Sequence, residues 1–134
     1  MFHSVKHIAI AVQNIEDAKK VYADIFKLEV SKLRELPKHG VRSVFVSLDN
    51  MKIELIEPLG SNSPLSNFLR KNIAGGIHHI CFGTKNIERS IEIIKDSGIR
   101  VLNNGKPEIG ANGKKVVFLH PKDCNGTLIE IEQD

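Results

Sequence analysis

The sequence predicts an α+β fold of two tandem βαβββ modules, their strands forming a cupped mixed sheet around a metal cleft. Three observations predict it. The segment His7 to Glu16 returns 72 residues later as His79 to Glu88, and five of the ten positions are identical: His7/His79, Ile8/Ile80, Asn14/Asn86, Ile15/Ile87 and Glu16/Glu88. In both copies an apolar, helix-period stretch follows that phrase. Each copy later reaches a β-rich run with a carboxylate inside it, Glu54 between Ile53 and Leu55, and Glu130 between Ile129 and Ile131. A chain of 134 residues buries one core. A single domain over 1–134 is therefore expected, with module 1 at about 5–58, a connector at about 59–76 and module 2 at about 77–133.

The elements follow in order. Val5 to Val12 is rich in β-formers, and Asn14 can cap a helix after it. Ile15, Ala18, Val21, Tyr22, Ile25 and Phe26 recur at three-and-four spacing, which predicts one amphipathic helix to Phe26. Leu28 to Leu36 reads as a strand closed by Pro37 to Gly40. Val41 to Leu48, the turn Asp49–Asn50, and Met51 to Glu57 read as a hairpin that Pro58 stops. A short helix near Leu65 to Lys71 is entered through Ser63 and Pro64. In the second copy, Ile77 to Thr84 is a strand, and Asn86 caps a helix to about Ser97 that Gly98 closes. A strand is expected near Ile99 to Asn103, then a loop from Gly105 to Gly113. Strands at about Lys114 to His120 and Gly126 to Glu132 complete the module.

Composition narrows the function. With 41% apolar and 26% charged residues the chain reads as a soluble globular protein. A net charge of +3 with no dense Lys/Arg face argues against nucleic acid as a partner and suits a small anionic ligand. No apolar run approaches membrane-spanning length. Patterned sequence begins by Val5 with no signal-peptide core before it, so a cytoplasmic location is expected, or a mitochondrial matrix after removal of a presequence. Cys81 falls in an apolar strand and Cys124 in a loop, which predicts two reduced thiols.

Period-2 alternation puts His7 on one face with Ala9 and Ala11, and His79 with Cys81 and Gly83. Small residues beside an imidazole leave room for a ligand. A carboxylate inside a β-branched strand is costly to bury without a charged partner. One histidine and one glutamate per copy, His7, Glu54, His79 and Glu130, supply four donors suited to a divalent cation such as Co²⁺, Mn²⁺, Zn²⁺ or Ni²⁺. Taken singly, each of these residues is more ordinarily structural; their repetition carries the metal reading. Glu57 and Glu132 read as exposed neighbours. His3, His39, His78 and His120 have no repeat partner and fall outside the ligand set.

The chain resembles the vicinal oxygen chelate superfamily and, within it, the methylmalonyl-CoA epimerase family. The resemblance runs from about Val5 to Gln133. It rests on His7 to Val12, Pro37 to Val41, Glu54 to Gly60, Ser63–Pro64, Ala74 to Ile80, Ile109 to Gly113 and Phe118 to Gly126, most specifically on Gly75 to His79 and Leu119 to Asp123. It implies metal ligation by His7, Glu54, His79 and Glu130, with Glu130 doubling as a catalytic proton-transfer base. It also implies a homodimer, a CoA thioester as substrate, and interconversion of (2R)- and (2S)-methylmalonyl-CoA through an enolate. Some relatives carry a second glutamate in the strand after the His39–Val41 segment. An ungapped count from Gly40 puts Ser43 there, so the second base is unassigned. Lys122 could hold substrate anions, against the plainer reading of a solvated surface lysine. Two rival readings share the fold: a glyoxalase-type lyase on the same metal site, and a metal-free small-molecule binder.

Overall fold

A computed structural model describes residues 1–134. They form two compact units, one of Ile8–His78 and one of Met1–His7 together with His79–Asp134. The boundaries lie inside the first strand of each repeat. Strand β1 (Phe2–Ala11) passes between units at His7, and β6 (Gly76–Thr84) at His78.

The Ile8–His78 unit holds α1 (Ile15–Lys20), β2 (Glu29–Val30), β3 (Arg34–Leu36), β4 (Val41–Ser47), β5 (Lys52–Pro58) and α2 (Pro64–Lys71). Its strand order is β2-β4-β5-β1, with β3 also paired to β4. The second unit holds α3 (Ile87–Asp96), β7 (Glu108–Ile109), β8 (Lys115–Leu119) and β9 (Leu128–Gln133). Its order is β1-β6-β9-β8-β7, with β6 and β9 parallel and β8 and β9 antiparallel. No helix is long and apolar enough to cross a membrane. Cys81 and Cys124 form no disulfide.

The repeated Asn-Ile-Glu phrase is a helix start. The Asn14 side-chain oxygen accepts from the Asp17 N–H at 3.0 Å, and that of Asn86 from the Arg89 N–H at 2.9 Å. Each satisfies a backbone donor that the first helical turn leaves open. The next residue anchors the helix in its unit's core. Ile15 packs with Val44, Val46 and Leu55, and Ile87 with Ile91, Ile94, Val117, Leu119 and Ile131. Glu16 and Glu88 then lie in the first turn, where the helix dipole favours negative charge.

Several expectations need correction. The helix from Ile15 does not run unbroken to Phe26, because Val21–Ile25 is π-helical. The Phe26 N–H bonds the Val21 carbonyl at 3.0 Å, one residue further back than an α-helix allows. That extra residue rotates the last turn outward, so Ile25 and Phe26 are 70% and 55% exposed while Ala18 and Tyr22 stay against the core. The strand from Leu28 to Leu36 is split by a bulge. Three residues separate Val30 from Arg34, whereas only two separate their partners Val46 and Ser43. The Ser31 hydroxyl accepts from the Phe45 N–H at 2.8 Å across the break. Near Ile99 to Asn103 there is only one bridge, Val101 to Leu119. Asn103 and Asn104 are both left-handed, at φ 55 and 53, which ends any strand there. The loop from Gly105 to Gly113 contains the two-residue strand β7. The hairpin matches expectation, with Leu48 bonded to Met51 around Asp49–Asn50.

The small residues of β1 do not leave open space. Ala9 and Ala11 are fully buried beneath Leu65 and Leu69 of α2; they are small so that this helix can approach. Gly75, at φ 84, serves the same closeness, since a Cβ there would stand 2.5 Å from the Ala11 carbonyl oxygen. Gly75→Ala is expected to destabilise the protein by about 1–3 kcal/mol in urea unfolding, and an unchanged midpoint would contradict this packing. In the second unit, the Arg100 backbone N–H, Nε and Nη2 all donate to Asp123 at 2.9 Å. The guanidinium bonds hold the Asp123 carboxyl well below the usual carboxylate range. A folded value below the unfolded one, about 3.9, means that the pair stabilises the fold above that pH and loses its effect as pH falls further. Asp123→Asn should therefore lower Tm most at pH 7, and its deficit against wild type should shrink between about pH 4 and pH 2.

Candidate metal centre

Strand alternation brings His7 on β1, His79 on β6 and Glu130 on β9 to one buried point in the second unit. Their exposures are 3%, 5% and 5%. In the parallel β6–β9 register Glu130 lies beside Cys81, two residues along from His79 and on its face. Glu130 Oε2 lies 3.0 Å from His7 Nε2 and 2.9 Å from His79 Nε2, and the two Nε2 atoms are 3.3 Å apart. The imidazole rings meet edge to face with centroids 5.4 Å apart. Phe118 of β8, the cross-strand partner of Glu130, stands edge-on to His79 at 5.4 Å and walls the cluster.

Burial alone would raise the Glu130 carboxyl. The hydrogen bonds from His7 and His79, with their charge, outweigh that cost and bring it down to about 2. The carboxylate is thus ionised throughout the neutral range.

This triangle fits a divalent cation. Donors about 2.1 Å from a common ion lie about 3.0 Å apart at octahedral angles and about 3.4 Å apart at tetrahedral ones. The observed separations, 2.9 to 3.3 Å, lie within about 0.1 Å of that range. Two imidazoles and a carboxylate are also the donor types that such ions take. Cys81, within 4.8 Å of donor atoms on His7 and Glu130, places a thiol beside the triangle.

Glu54 belongs to the other unit. It is buried in β5, its cross-strand neighbour on β4 is Phe45, and its Oε2 accepts a hydrogen bond from the Ser43 hydroxyl at 2.7 Å. The four histidines set aside have other surroundings or roles. His3 pairs with Asp134 at 2.7 Å, His78 packs edge-on against Phe68, and His120 Nδ1 accepts from the Lys122 N–H in a short turn; His39 lies half-buried in the turn after β3. Lys122 itself is exposed. Glu132 corrects an expectation, for it is buried, and Asn112 donates to it at 3.4 Å. Sequence reasoning missed Phe118 and the Ser43 hydroxyl. Phe118 had a signal in the second hairpin register, which sets it opposite Glu130; Ser43 was read only as a missing base.

Comparison with known proteins agrees with the resemblance seen in the sequence. Residues 6–118 match the glyoxalase/bleomycin resistance protein/dioxygenase superfamily. The chain is 49% identical over 133 residues to the ethylmalonyl-CoA/methylmalonyl-CoA epimerase of Cereibacter sphaeroides, covering 99% of each protein. It is 50% identical over 129 residues to the mitochondrial methylmalonyl-CoA epimerase of Homo sapiens, covering 96% of this chain and 73% of the human one. The structure of Streptomyces coelicolor methylmalonyl-CoA epimerase in complex with 2-nitronate-propionyl-CoA superposes with a TM-score of 0.93 at 31% identity, over 100% of this chain and 96% of that one. The chain belongs to the glyoxalase/bleomycin resistance protein/dioxygenase superfamily and, within it, to the methylmalonyl-CoA epimerase family.

Proposed function

We propose that the chain interconverts (2R)- and (2S)-methylmalonyl-CoA, with His7, Glu54, His79 and Glu130 holding a divalent cation and Glu130 transferring the α-proton. The observation that carries the site is the buried triangle of His7 Nε2, His79 Nε2 and Glu130 Oε2. Glu54 joins by its place in the repeat, as the buried carboxylate of the matching strand.

The α-proton of methylmalonyl-CoA lies between a thioester carbonyl and a carboxylate, and its removal leaves negative charge on the thioester oxygen. A divalent cation held by His7, Glu54, His79 and Glu130 would supply positive charge to stabilise the developing thioester oxyanion. The two imidazoles present their Nε2 atoms inward, where they would ligate the cation, and stand within 3.0 Å of the ionised Glu130. Glu130 is thereby ready to accept the proton without first losing one of its own. Phe118 shields His79 from water. Reprotonation from the opposite face of the α-carbon completes the inversion. The reading extends to a homodimer in a reducing compartment, in keeping with two cysteines that are not joined as a disulfide.

Glu130→Gln keeps the shape of the side chain and removes the basic oxygen. It should slow exchange of the substrate α-proton with D₂O by at least about 100-fold, followed by NMR; exchange at the wild-type rate would end the assignment of Glu130. Purified protein should carry about one divalent ion per chain by elemental analysis. Chelation should stop exchange, and Co²⁺ or Mn²⁺ should restore it. His79→Ala should weaken Co²⁺ binding in calorimetry by at least about 100-fold, and retention of full affinity would remove His79 from the ligand set.

A further inference from the structure

Ser43 is the less expected part of the Glu54 surroundings. It lies on β4 with 1% exposure, and a hydroxyl that deep is costly unless it is hydrogen-bonded. Its partner is Glu54 Oε2, at the 2.7 Å of a charge-assisted bond. Ser43 pairs in register with Ile56, and Glu54 with Phe45, so the bond runs diagonally across one face of the β4–β5 hairpin. The phenyl ring of Phe45, directly opposite the carboxylate, gives it no hydrogen-bond donor.

The second copy shows what is particular here. Phe118 faces Glu130 as Phe45 faces Glu54, and two residues earlier Val116 stands where Ser43 stands. Only the Glu54 copy has a donor at that point of the strand. Glu130 itself lies within 3.0 Å of two imidazole nitrogens.

We propose that Ser43 is a positioning residue for Glu54: its hydroxyl holds Oε2 and so directs Oε1 to the cation, making Glu54 a one-oxygen ligand. This deepens the reading of Glu54 as a ligand and rests on it. It also gives position 43 a role other than proton transfer with substrate, because the hydroxyl proton is committed to Glu54.

The test is calorimetric titration of the metal-free full-length chain with Co²⁺, for wild type, Ser43→Ala, Glu54→Ala and the double variant. Glu54→Met, close in volume to glutamate, replaces Glu54→Ala should the latter not fold. Ser43→Ala is expected to weaken Co²⁺ binding about 10- to 100-fold and to alter the visible Co²⁺ spectrum, because Glu54 is then free to offer both oxygens. In the Glu54→Ala background, Ser43→Ala is expected to weaken binding no further. If Glu54→Ala binds Co²⁺ like wild type, the ligand reading of Glu54 fails and takes the proposal with it. If Glu54→Ala weakens binding while Ser43→Ala does not, or if Ser43→Ala acts equally in both backgrounds, the positioning role alone is overturned.

Discussion

Two imidazole nitrogens converge on one buried carboxylate oxygen, and most of the molecule's local choices serve that meeting. A carboxylate nine-tenths buried is tolerable only with strong donors or a cation at hand. Glu130 has both imidazoles within 3.0 Å, but holding them there needs three strands in fixed register. The β6–β9 ladder sets Glu130 beside Cys81, and the β8–β9 ladder sets Phe118 across from it. The helix that follows β6 is pinned by Asn86 at its start and by Ile87 in the core. The repeated phrase therefore unites a histidine of the buried triangle with the device that fixes the strand carrying it.

What was legible in the sequence followed from period and punctuation. The alternation of β1 put His7 on the face of Ala9 and Ala11, and all three are buried. The Asn caps, the Asp49–Asn50 turn and the Ser63–Pro64 helix start are local chemistry, readable without tertiary knowledge. Tertiary contacts decided the rest. Ala9 and Ala11 are small because α2 lies on them, and nothing in β1 announces that helix. The π-helical turn after Lys20 was hidden because Val21, Ile25 and Phe26 carry a sound α-helical period that the backbone does not follow. Glu132 could have been placed. It shares a strand face with Glu130, so a buried Glu130 already implied a sheltered Glu132.

The two copies differ in what surrounds their carboxylates. Both glutamates lie opposite a phenylalanine, and both are buried. Glu130 takes charge-assisted bonds from two imidazoles, which hold its carboxyl to about 2. Glu54 Oε2 accepts a bond from the Ser43 hydroxyl, a donor that has no counterpart beside Glu130, where Val116 holds the matching place. Under the proposed roles, one carboxylate as ligand and the other as ligand and base, the two acids would differ by their surroundings rather than by residue type. The exchange of Val116 for Ser43 and of Glu132 for Ile56 across the copies marks where that difference is written. Polar groups were placed at these points although either hairpin accommodates an apolar side chain at the same position in the other copy.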